Sequence, residues 1–127
     1  MKRITFYSIA AIVAFLFALA FMLFPVPTMA FYGGELNDVG AFTARYFGSA
    51  LFGVSVMLWY SRFSTDSRAR WAINFGGLSL SVTGLVTSLL EVFSGVGNAR
   101  VWSVVAIYLL LSVGFAYFHF QKQSDKE

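Results

Sequence analysis

Arg45 and Glu91 each fall inside a long stretch that otherwise carries no charge. An ionisable side chain surrounded by apolar sequence is costly to desolvate, so it marks either an ion pair or a site. A guanidinium can hold an anion or a lipid headgroup, and a carboxylate beside it can neutralise or gate that site. If the turn between their segments is centred near Thr65 or Asp66, Arg45 stands opposite about Val86, which leaves Glu91 roughly 7 Å further along at 1.5 Å per residue. An arginine on a helix leans toward the helix N-terminus, which covers much of that gap. The expectation is that Arg45 and Glu91 pair or share a water. Such a pair can pin two helices or form an anion or headgroup site at Arg45 gated by Glu91. Alternatively, each side chain snorkels on its own.

Glu91 also ends a stripe. Asn74, Gly77, Ser81, Gly84, Ser88 and Glu91 succeed one another at steps of three and four, so they share one narrow face of a helix whose remainder is mainly Leu, Val and Phe. Small and polar residues on an apolar helix mark where another helix or a ligand comes close. Asn74 reads first as a hydrogen-bonding link to a neighbouring helix, with ligand binding as the sharper alternative. Thr83 and Thr87 lie on another side and are expected to face Ser112 and Tyr108, satisfying the Tyr108 hydroxyl. The ligand or ion-pair candidates are therefore Arg45, Glu91, Asn74, Ser81, Ser88 and Tyr108.

Catalytic and cofactor chemistry finds no support. The chain has no Cys, and its one His, His119, has no second histidine with which to complete a bis-His haem site. No lysine lies within an apolar segment to form a Schiff base, and phosphate-cradling glycine loops, a Ser/His/Asp set and a carboxylate dyad are missing. Neither an enzymatic activity nor a metal or cofactor is expected.

The elements that must position these residues are membrane helices. With 58% hydrophobic and 12% charged residues, the chain is far too apolar for a soluble domain, which carries about a quarter charged residues. The fold class predicted is all-α and integral to the membrane, with four transmembrane helices in an up-down antiparallel bundle spanning about 4–24, 41–60, 71–93 and 101–119, before a polar tail, 120–127. Lys2 and Arg3 ahead of the first apolar run, and Thr28-Met29-Ala30 after it, also fit a secretory signal. The run is long for that role and three more spans follow, so an uncleaved helix is expected, ended by Pro25 and Pro27. Pro25 to Gly40 is the longest connection, acidic and without a basic residue; it reads as a plain loop or as a lid over a pocket. Asn37 or Asp38 is placed to cap the second span and Asn98 the fourth.

Charge fixes the expected orientation. Lys2, Arg3, Arg62, Arg68, Arg70, Lys122 and Lys126 fall on one side and only Arg45 and Arg100 on the other, which places both termini in the cytoplasm and the protein in the plasma (inner) membrane. Trp59, Tyr60, Trp71 and Tyr117 then mark the inner boundary, and Tyr32 and Trp102 the outer one. The basic residues form no patch interleaved with aromatics, so nucleic acid is not an expected partner.

Ala44-Arg45, Gly48, Gly53 and Trp59, a basic turn, then Asn74 and Gly77, after a Pro-terminated first helix, resemble a family of small uncharacterised bacterial four-helix integral membrane proteins. The plan is also similar to that of the ergosterol-biosynthesis scaffold family, which implies a non-enzymatic membrane tether. Gly40-Ala41-Phe42-Thr43-Ala44-Arg45-Tyr46 resembles the Gly-Ala-x-x-Arg-Tyr-like element of fluoride channels. It is one residue longer, sits on the second helix, lacks their later Thr/Ser/Phe-rich segment, and accompanies a charge bias too strong for dual topology. The leading expectation is an accessory or scaffold subunit, or a binder of lipid or an apolar small molecule, whose partners are membrane lipids, another membrane protein or further copies of itself. The alternative is a small oligomeric channel or transporter using Arg45 and Glu91; because four helices enclose little volume, its path is expected between protomers.

Overall fold

The computed structural model describes residues 2–95 and 97–121 of the chain. The expected polar tail, with Lys122 and Lys126, lies outside the described residues beyond Gln121. Every regular element among the described residues is helical: α1 (Arg3–Leu23), α2 (Pro25–Phe31), α3 (Asp38–Ser61), α4 (Ser67–Phe93) and α5 (Val101–Phe120). With 21, 24, 27 and 20 residues, α1, α3, α4 and α5 are long and apolar enough to cross a membrane, covering roughly 30 to 40 Å at 1.5 Å per residue.

Local chemistry sets the boundaries. Pro25 cannot extend α1, but it needs no donor in the first turn of a new helix, and so it opens α2. Thr28 donates its hydroxyl to the Ala20 carbonyl at 3.0 Å, folding α2 back onto the end of α1. The Pro25 to Gly40 connection is thus partly helical, because two prolines that end one helix also pre-set the next. Asn37 caps α3 by accepting from the Gly40 N–H at 2.7 Å, and Asp66 caps α4 by accepting from the Arg68 N–H at 3.0 Å. Asn98 accepts from the Arg100 N–H at 2.9 Å, just before α5 begins.

Small residues decide the packing. α1 lies along α3, where a Cβ on Gly48 would come within 2.9 Å of the Ala18 carbonyl oxygen. α4 lies along α5, where the Phe115 ring covers Gly77 and the Tyr108 ring, seven residues earlier, covers Gly84, seven residues later. A Cβ at either glycine would collide with the ring above it. Between these two pairs contact is sparse, and α3 and α4 hardly touch despite their short connection. This corrects the side-by-side register that set Arg45 opposite Val86: α3 and α4 each pack on another helix, α1 and α5.

The pairs are tied together at both ends. At the end that holds Arg3 and the Ser61 to Arg70 turn, called here the basic end, Phe6 lies over Gly114 and packs edge-on to Phe115 with ring centroids 4.9 Å apart. Tyr7, Ala10, Ala11, Leu58 and Phe118 complete this cluster. At the other, loop end, Asn98 donates its backbone N–H to the Tyr32 carbonyl at 2.8 Å and its side-chain amide to the Phe31 carbonyl at 3.1 Å. Gly33 and Gly97 have φ of +83° and +80°, and a Cβ on either would press on the opposite strand of chain, so both positions need glycine. Elsewhere the usual distribution is inverted: Leu16, Leu23, Leu90 and Leu110 are exposed, whereas Arg3, Ser55, Arg70, Asn74, Ser81 and Ser88 are buried.

Candidate functional site: a cavity between two helix pairs

Held together at the ends and apart in the middle, the two pairs leave a cavity of about 930 Å³ between them. Ala10, Ala14 and Phe17 of α1 and Ala44, Phe47 and Leu51 of α3 form one wall, with α4 and α5 opposite. The aromatic cluster around Phe6 and Phe115 stands at the basic end, and Met29, Tyr32 and Leu36 line the loop end. The Pro25 to Gly40 connection therefore contributes Met29, Tyr32, Leu36 and Gly40 to the wall. Splayed as two pairs, the helices leave more room than a close-packed bundle would, in a space that is partly open at its sides. Its volume lies near the upper end of the roughly 300–1,000 Å³ range of small-molecule sites.

The polar stripe on α4 turns out to be largely self-satisfied. Ser81 and Ser88 line the wall yet are almost fully buried, and they donate to the Gly77 and Gly84 carbonyls, each at 2.7 Å. Thr83 and Thr87 donate to the Ser79 and Thr83 carbonyls at 2.8 and 2.9 Å. Helical back-bonding of this kind neutralises a hydroxyl where no water is at hand. Thr83 and Thr87 consequently do not serve Tyr108 or Ser112, as was expected of them. Tyr108 lines the cavity, and its hydroxyl has no hydrogen-bond partner among the described residues.

Glu91 and Arg45 are both exposed; Glu91 borders the cavity, whereas Arg45 lies off the wall, although Thr43, Ala44 and Phe47 beside it are on it. Among the described residues no ion pair within 4.0 Å joins Arg45 to Glu91. The expected pairing assumed that α3 and α4 run side by side; the splay between them removes that premise. Among the described residues, Glu91 is the one charged side chain on the cavity wall.

Comparison with family models, with curated proteins and with solved structures gives no match. The functional reading rests on geometry.

Asn74 takes the linking role. Tyr7, fully buried, donates its hydroxyl to the Asn74 side-chain oxygen, and the Asn74 amide donates to the Phe118 carbonyl at 3.3 Å, joining α1, α4 and α5. Tyr7, Arg3 and Arg70 are buried polar residues that sequence reasoning missed. Arg3 donates to the Ser64 carbonyl at 2.7 Å and lies over the Tyr7 ring, 5.3 Å from its centroid. The available signal was that Arg3 and Tyr7 stand one helical turn apart on the face that carries Ala10 and Ala11. His119 sits among Trp71, Phe75 and Phe120, with centroids 4.8 to 5.6 Å away, and the described residues include no cluster of three metal-ligating side chains.

Proposed function

We propose that this chain is a non-enzymatic integral protein of a bacterial plasma (inner) membrane, an up-down arrangement of four spans with cytoplasmic termini, which holds a lipid or another apolar small molecule between its two helix pairs. The observation that carries the reading is the cavity of about 930 Å³, walled by alanine, phenylalanine and leucine and bearing few free polar groups. The apolar exterior supports a membrane setting, as do Trp59, Tyr60, Trp71 and Tyr117, exposed toward the basic end. A through-going channel in one chain is disfavoured, because the buried rings of Phe6, Tyr7, Phe115 and Phe118 fill the space at the basic end.

Gly76 provides the test. It lines the cavity, and a Cβ there meets nothing within 4 Å. Gly76→Phe should fill the space while leaving the helix pairs intact. Native mass spectrometry of gently extracted protein is expected to show a bound lipid or small molecule on the natural chain and its loss from Gly76→Phe. A natural chain that flies without any bound species, indistinguishable from the variant, would overturn the reading.

A further inference from the structure

We infer that the occupant of the cavity carries a positively charged amine or ammonium head on an apolar body, with the head held at Glu91 beside Tyr108; the inference rests on the cavity reading above. Glu91 is the only charged side chain lining the cavity, and its carboxylate has no hydrogen bond or ion pair among the described residues. Neither Arg45 nor Arg100 serves it. Arg45 lies off the wall, and Arg100 donates to the Phe31 carbonyl at 3.1 Å while its guanidinium sits over the Phe31 ring, 4.5 Å from the centroid.

Glu91 is exposed at the margin of the cavity, where a ligand head can reach it. Glu91 lies two residues before the end of α4, whose last turn holds no basic residue. The partial negative charge of the C-terminal carbonyls repels a carboxylate there. A cation supplied by the ligand gives Glu91 a counter-charge and offsets the repulsion; a neutral donor gives a hydrogen bond but no counter-charge, and an anion adds to the repulsion. The surroundings suit a substituted ammonium in particular. Tyr108 and Tyr32 both contribute to the wall, Tyr108 close enough to feel the Glu91 charge, and aromatic faces attract such cations. The Tyr108 hydroxyl, without a partner among the described residues, offers an acceptor to a head that carries an N–H. Below the head, Phe17, Phe47, Leu51 and Leu111 surround the apolar body.

The experiment uses the full chain in micelles of an uncharged maltoside, with empty micelles as the blank. Radiolabelled dodecyltrimethylammonium and radiolabelled dodecanol, which share a chain length and differ in the head, are titrated against the natural chain, Glu91→Gln and Gly76→Phe. The expected result is saturable binding of the ammonium to the natural chain, weakened roughly tenfold in Glu91→Gln, or about 1.4 kcal/mol. Dodecanol should bind the natural chain and Glu91→Gln equally, and Gly76→Phe should lose both probes. If Glu91→Gln holds the ammonium as tightly as the natural chain while Gly76→Phe still expels both probes, the cationic head is refuted and the cavity reading survives. If neither probe binds saturably to the natural chain, both fall.

Discussion

Tyr7 and Asn74 form a polar contact in a place with no competing water, and such a contact behaves as a unit. Tyr7→Phe and Asn74→Ala should each destabilise the detergent-solubilised protein, by about 1–3 kcal/mol where a buried polar group loses its partner. Their losses should combine non-additively, with a coupling of about 0.5–3 kcal/mol. Arg45→Ala and Glu91→Gln should instead add within about 0.3–0.5 kcal/mol, as expected of residues that do not touch. Both double-mutant cycles can be read from thermal or denaturant unfolding, and a strong coupling between Arg45 and Glu91 would contradict the geometry. The linking role of Asn74 was legible because a polar amide on an apolar helix has few alternatives. Its partner was not, since Tyr7 sits 67 positions away and nothing in the α1 sequence says which helix Tyr7 meets. The separation of Arg45 from Glu91 was illegible for the same reason: it depends on the angle between helices, not on either residue.

At the scale of elements, the boundaries of the long helices could be read from prolines, caps and uninterrupted apolar runs. Their pairing could not. Glycines carried that information, and a sequence does not distinguish a glycine under a ring from one facing open space. Gly84 and Gly76 make the distinction measurable on one helix. Replacing either by alanine reduces the entropy of the unfolded backbone, a gain of about 0.4–1 kcal/mol where the new methyl fits. Gly76→Ala should therefore be neutral or stabilising. Gly84→Ala forces the Tyr108 ring away and should destabilise, by about 1–3 kcal/mol as overpacked sites do. Equal effects of the two substitutions on the melting temperature would mean that Tyr108 does not seat on Gly84. The short helix α2 escaped notice because prolines were counted only as terminators. Its place at the loop end, with Met29 on the cavity wall, follows from the same two residues acting as initiators.

For the whole molecule, the central expectation is orientation, and the absence of cysteine makes it simple to measure. Glu35→Cys, in the loop-end connection, should react with a membrane-impermeant maleimide in intact cells. Thr65→Cys, in the basic turn, should react only after the membrane is opened. Reversed labelling would invert the topology and place the cavity mouth beside Glu91 on the cytoplasmic side. The basic turn has a second consequence, one of assembly. It joins two helix pairs that are each contiguous in the chain, and each pair packs through its own glycine contacts. The space between the pairs is therefore complete only when α5, which supplies Tyr108, Leu111 and Phe115 to its wall, follows the Asn98–Tyr32 contact. A chain cut before α5 should therefore lack this space altogether, whatever the first pair has formed.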